Sequence, residues 1–77
     1  MTLQDAVRTR LAEIMKEKGF PAYRICREGG VPRATISQIL SGKNGRIKVD
    51  TLYQIIATMD VSFEEFFHSD LFRDISD

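Results

Sequence analysis

Apolar residues recur every three or four positions along nearly the whole chain, and the breaks between these runs fall on Gly, Pro and short polar stretches. The pattern predicts five helices and no strand. The first covers about 3–18, with Leu3, Val7, Leu11, Ile14 and Met15 on one face. Thr2 followed by Asp5 forms a capping pair of the weaker kind, and Gly19 ends the helix as a left-handed cap residue. Pro21 biases Phe20 toward an extended backbone. The second helix covers about 22–28. Phe20 and Ile25 have the spacing of a hydrophobic staple across its start, and Gly29-Gly30 stops it.

The third helix covers about 33–40 and ends at Ser41-Gly42, followed by the basic polar loop Lys43-Asn44-Gly45-Arg46. The fourth covers about 49–59, with Leu52, Ile55, Ile56 and Met59 inward, and breaks at Asp60-Val61. Ser62 and Glu65 make a capping box for a fifth helix that starts at Phe63, and Phe63, Phe66 and Phe67 share a face. The pattern leaves open whether this helix continues through Leu71, Phe72 and Ile75. There is no internal repeat and no low-complexity tract.

The second and third helices form a pair with specific requirements, and the residues between Ala22 and Ser41 meet them. Ile25 is the apolar residue that faces the next helix. Cys26 is a small hydrophobe for the place where the helices touch. Gly30 can take a positive φ in the turn without steric cost. Val31 plugs the core after the turn, and Ile36 and Ile39 bury one face of the third helix. Arg33, Ala34, Ser37 and Gln38 are left near the outer, N-terminal side. These side chains suit base edges in a DNA major groove: Arg pairs with guanine, Gln with adenine, Ser with several partners, and an Ala methyl packs on thymine. Arg, Ser and Gln occur on any polar helix surface; the fixed glycine and apolar positions around them are what favour the DNA reading.

Charge sharpens this picture. The formal net charge is zero, yet the chain is an electrostatic dipole along its length. Residues 1–48 carry ten Lys/Arg against four Asp/Glu, and residues 49–77 carry one against seven. Phosphate attraction depends on the local face presented to DNA more than on total charge. Seventy-seven residues make a single domain, with a core over about 3–68 and an acidic C-terminal tail or dimerisation extension over 69–77. A chain this short buries only about 60–65% of its surface, so stability is marginal unless it oligomerises. The 43% hydrophobic content argues against disorder. No apolar run approaches the ~20 residues that span a bilayer, and the N-terminus does not read as a secretory signal. The single Cys26 cannot form an internal disulfide, so the expectation is a reduced, cytoplasmic protein.

On these residues the chain resembles the Cro/CI-type (XRE-like) helix-turn-helix family of phage repressors, Cro proteins and small bacterial regulators. The matching stretches are A-Y-R-I-C-R-E-G-G-V-P-R-A-T-I-S-Q-I-L-S-G-K and V-D-T-L-Y-Q-I-I-A-T-M-D-V-S-F-E-E-F-F, and the likeness covers about Leu3 to Phe67. It implies an all-α, five-helix, lambda-repressor-like DNA-binding domain in which helices 2 and 3 form the helix-turn-helix. It also implies transcriptional regulation, commonly repression, by a dimer on a palindromic operator in double-stranded DNA. Carried over by position, Arg33, Ala34, Ser37 and Gln38 would face bases, with Thr35 beside the sugar-phosphate backbone. Lys43 and Asn44 would reach phosphates, with Arg46 as a further phosphate partner on the same side. The start of the second helix would abut a phosphate through its dipole and free amides.

The chain departs from the family pattern at two positions. Ala22 stands where related repressors often have a Gln that clasps the backbone, so Tyr23 and Arg24 are the candidates to replace it. Pro32 stands where a Ser or Thr usually caps the third helix, although its fixed φ suits a helix start.

Other chemistry is weakly supported. His68 and Glu64 are two ligands at most, with no Cys or second His at metal-ligand spacing. Glu64 and Glu65 are adjacent on a helix and do not face each other. Cys26 has no cation aimed at it, and there is no Gly-rich phosphate loop. The expectation is therefore no enzyme, no metal and no cofactor. The cluster Phe63, Phe66, Phe67 and Phe72 exceeds what closing one small domain requires, and points to a homodimer interface built on the C-terminal aromatic residues. The competing function is a protein-interaction module, such as an antitoxin or adaptor, whose acidic, Phe-rich C-terminal part grips a protein partner.

Overall fold

The computed structural model describes residues 1–43 and 46–76. They form five α-helices: α1 Leu3–Lys18, α2 Ala22–Gly29, α3 Arg33–Ser41, α4 Val49–Thr58 and α5 Phe63–Phe67. A short 3₁₀ turn, Asp70–Phe72, follows. Asn44, which the family resemblance placed on phosphates, lies outside the described residues.

The helix limits follow from local chemistry. The Thr2 hydroxyl accepts from the Asp5 backbone N–H at 3.1 Å and satisfies one of the free amides at the start of α1. Asp5 does not complete the reciprocal box; its carboxylate turns to Arg8 at 2.7 Å. The Ser62 hydroxyl accepts from the Glu65 N–H at 3.0 Å at the start of α5. Pro32 caps α3 without a side-chain bond, and its carbonyl accepts from Thr35 and Ile36 at 3.0 and 3.2 Å. Between α4 and α5, Asp60 takes a left-handed φ of 59°, a conformation that Asp tolerates better than most side chains.

One apolar core joins all five helices. Leu11 of α1, Ile25 of α2, Ile36 of α3, Ile55 and Ile56 of α4, and Phe66 of α5 are each 0% exposed. Burying one such side chain stabilises the fold by roughly 1.5–3 kcal/mol. Among the described residues no polar or charged side chain is buried, so packing, not polar pairing, sets helix positions. The N-terminal end of the predicted apolar stripe needs correction. Leu3 is exposed, and Ala6 is buried instead.

Two features had no signal in the pattern. First, Gly29 is the last residue of α2, not only turn punctuation, and it lies directly against Thr58 of α4. A Cβ there would collide with the Thr58 hydroxyl. That hydroxyl is held by the Gln54 carbonyl at 2.7 Å, while the Gln54 amide donates to the Gly29 carbonyl at 3.1 Å. Cys26, expected at the tightest approach, is half-buried and packs beside the core. Second, the Arg10 guanidinium donates from Nε to the Phe66 carbonyl at 2.8 Å and from Nη2 to the Glu65 carbonyl at 3.0 Å. A five-residue helix is too short to persist alone. Ser62 ties its first turn and Arg10 its last.

The question of the fifth helix is resolved by a stop. It ends at Phe67, and the chain folds back so that the 3₁₀ turn packs on α1. Phe72 lies against the core, and the Ser76 N–H donates to the Met1 carbonyl at 3.1 Å.

Gly29 gives a direct test of the packing. In an open helix Gly→Ala would stabilise by about 0.5–1 kcal/mol. Here Gly29→Ala is expected to lower stability by about 1–3 kcal/mol through overpacking, and Gly29→Ala/Thr58→Ala should recover most of the loss. Urea unfolding of the two variants beside wild type measures both effects.

Candidate nucleic-acid interface

The turn between α2 and α3 is short and sharp. Gly30 takes φ 71°, its N–H donates to the Cys26 carbonyl at 3.1 Å, and Val31 enters the core at 1% exposure. Ile36 and Ile39 then pin one face of α3. Helical geometry turns the opposite face outward, and Arg33, Ala34, Ser37 and Gln38 are all exposed there. These four, read from spacing, are therefore brought together. Thr35 is half-buried at the edge of the same face.

The remaining predicted residues surround this face unevenly. Lys43 and Arg46 are exposed, one on each side of residues 44–45. On α2, Tyr23 is 51% exposed, with the Arg27 guanidinium 5.6 Å from its ring centroid. Arg24 is engaged within the chain: it lies 3.8 Å from the centre of the Phe20 ring, and its Nε donates to Glu28 at 2.7 Å. The hydrogen bond from Arg24 holds the Glu28 carboxyl below the usual glutamate range. Ala22 is half-buried beside the core.

The charge pattern of the interface is sharper than a simple count gives. No Asp or Glu occurs between Glu28 and Asp50. Among the described residues, Arg33, Lys43, Arg46 and Lys48 take part in no ion pair, whereas Arg8, Arg10, Arg24, Arg27 and Arg73 each meet a carboxylate within 4 Å. An unneutralised cation keeps its full attraction for an external anion. Lys16 and Lys18 at the end of α1 are likewise in no ion pair among the described residues, so the unpaired cations form two groups, one of which lies on α3 and the segment after it. Beside Thr35 and Arg46 lies a cleft of about 250 Å³, whose walls also include Arg8 and Lys48. Sequence reasoning missed both, because helical periodicity does not reveal that the start of α1 and the entry to α4 flank α3.

A second exposed surface lies on α4 and α5. Tyr53 and Phe67 are 56% and 41% exposed. Rings follow one another from Tyr53 to Phe63 at 5.6 Å, to Phe67 at 6.2 Å and to Phe72 at 4.9 Å. Phe66 alone of the set is fully buried.

A short second helix, pinned by two isoleucines and presenting a polar outer face amid unpaired cations, defines a helix-turn-helix of the DNA-reading kind. The family model described as Helix-turn-helix matches residues 11–66, and the chain belongs to that family, of the Cro/CI type. It is a DNA-binding regulatory domain, in a family that is generally not enzymatic. Neither a curated protein nor a solved structure matches the chain. No helix among the described residues is long and apolar enough to cross a membrane.

Proposed function

We propose that this protein is a sequence-specific repressor that binds a palindromic operator as a homodimer, with α3 in the major groove. The observation that carries this reading is the outer face of α3. Arg33, Ala34, Ser37 and Gln38 are exposed together, and among the described residues Arg33, Lys43, Arg46 and Lys48 have no carboxylate partner. Arg33 and Gln38 read bases, with Ser37 and the Ala34 methyl beside them. Thr35, Lys43, Asn44 and Arg46 hold the backbone. Tyr23 reaches a phosphate at the start of α2, and Arg24 joins it by releasing Glu28.

The exposed aromatic face supports the dimer. Tyr53 and Phe67 leave apolar area in water that a second copy would cover about a two-fold axis. One protomer measures 34 × 25 × 20 Å. Two protomers side by side can place their α3 helices one DNA turn apart, about 34–36 Å. The same face is where a different protein would dock if the chain were an antitoxin or adaptor.

Selection of bound sequences from a random duplex pool at near-physiological salt tests the reading. Wild type is expected to enrich a palindrome. Arg33→Ala and Gln38→Ala should each cost roughly 1–3 kcal/mol and blur specific positions, whereas Lys43→Ala should weaken all sequences alike. An unchanged preferred sequence in the two base-face variants would overturn the assignment of α3.

Sedimentation tests the dimer. Phe67→Glu is expected to yield monomers, because burying an unpaired carboxylate in an apolar contact costs several kcal/mol. A wild-type protein that stays monomeric at high concentration would instead assign the aromatic face to another partner.

A further inference from the structure

The aromatic face depends on the shortest α-helix of the fold. α5 has five residues, and it carries Phe63 and Phe67. The last four carbonyls of an α-helix have no partner within it, which for α5 is most of the helix. Two of these carbonyls are held from α1. Arg10 Nε donates to the Phe66 carbonyl at 2.8 Å, and Nη2 donates to the Glu65 carbonyl at 3.0 Å. The Arg10 side chain is only 17% exposed, and its Nη1 lies 3.6 Å from the half-exposed Glu13 carboxylate. A surface pair of that length contributes little and does not account for the burial of a guanidinium. The two carbonyls do, because a cation at the negative end of a helix makes charge-assisted bonds there.

The place of these bonds gives them a further consequence. The Phe66 carbonyl and the Phe67 N–H belong to one rigid peptide plane. A guanidinium is itself planar and offers its donors in a fixed fork, so two bonds from it set the tilt of that plane and of the one before it. The chain divides at this point. Phe66 enters the core at 0% exposure, Phe67 projects outward, and the two rings meet edge to face at 5.0 Å. Phe67 then stands between Phe63 and Phe72. Ser62 ties the start of α5 and the burial of Phe66 ties its middle. The His68 N–H also reaches the Glu65 carbonyl, at 3.3 Å, but that bond is local to the turn and moves with it. Arg10 is the tie from another helix at the end that bears Phe67.

We propose that Arg10 is a positioning residue for self-association. Its grip on the Glu65 and Phe66 carbonyls sets the direction of Phe67, and with it the shape that a second copy matches. The inference rests on the homodimer reading and places a determinant of dimer geometry on α1. Arg10 acts through Phe67 and does not touch the partner. Two α3 helices one DNA turn apart need a fixed separation, so an error in Phe67 passes to the half-site spacing.

The test is sedimentation equilibrium of wild type, Arg10→Met, Arg10→Lys and Ile25→Val, with urea unfolding of each. Arg10→Met keeps an unbranched side chain and removes every donor. It is expected to raise the dimer dissociation constant at least about tenfold, the change that losing one charge-assisted hydrogen bond produces. Arg10→Lys keeps the charge without the fork and should fall between. Ile25→Val weakens the core outside α5 and should leave the dimer constant alone, which controls for stability. In duplex binding, Arg10→Met should lose affinity for the full palindrome and keep that for a single half-site.

The proposal is overturned if folded Arg10→Met dimerises as tightly as wild type, or if Ile25→Val weakens the dimer as much at an equal loss of stability. Should Arg10→Met fail to fold, Arg10→Lys decides: a dimer as tight as wild type rejects the role of the fork. In each of these outcomes the homodimer itself stands. A wild-type protein that stays monomeric at high concentration overturns both readings and leaves the aromatic face to another partner.

Discussion

The burial of Ile36 and Ile39 is the constraint on which the interface depends. Both side chains enter a core already filled by Leu11, Ile25, Ile55 and Phe66, so α3 has one permitted rotation about its axis. Truncating one such residue to Ala costs about 2–5 kcal/mol, a large share of the stability a chain of this size can have. The outward direction of Arg33, Ala34, Ser37 and Gln38 is therefore a consequence of apolar packing, not of any contact these residues make. Gly30 and Val31 fix where α3 begins, and Gly29 against Thr58 fixes how closely α2 approaches α4.

Charge and apolar surface are then separated on this frame. Carboxylates partner the arginines of α1 and α2, while the cations from Arg33 to Lys48 have no such partner among the described residues. Surface ion pairs contribute little to stability, about 0–1 kcal/mol each, so leaving these cations unpaired costs the fold little. It preserves their attraction for phosphate. The opposite end of the charge dipole carries the acidic residues and the exposed rings of Tyr53 and Phe67. That arrangement suits a protein that meets DNA with one surface and another macromolecule with a different one.

Much of this was legible in the sequence, for local reasons. Helix limits agree to within a residue at most ends because caps and breakers such as Thr2, Gly19, Gly30, Gly42 and Ser62 act within one turn. The exposed set on α3 was readable because helical spacing leaves few choices once Ile36 and Ile39 point inward. What was not legible depends on contacts distant in sequence. Arg10 reaches carbonyls of Glu65 and Phe66, and nothing near Arg10 announces that α5 needs its end tied. Gly29 resembled turn punctuation until Thr58 was placed against it. The approach of Arg8 on α1 to Gly42 at the end of α3 likewise joins residues far apart in sequence. Periodicity likewise places Leu3 on the apolar stripe without showing that it is exposed there.

On the proposed reading, α3 and the unpaired cations after it form the surface that meets DNA, and the aromatic face is turned elsewhere. Backbone amide NMR during titration with a short duplex at low salt tests it most directly. The expected shifts concentrate on Arg33 to Gln38 and on Lys43, Arg46 and Lys48, while Tyr53, Phe63 and Phe67 stay still. Shifts confined to the aromatic face, with the α3 amides unmoved, would contradict it.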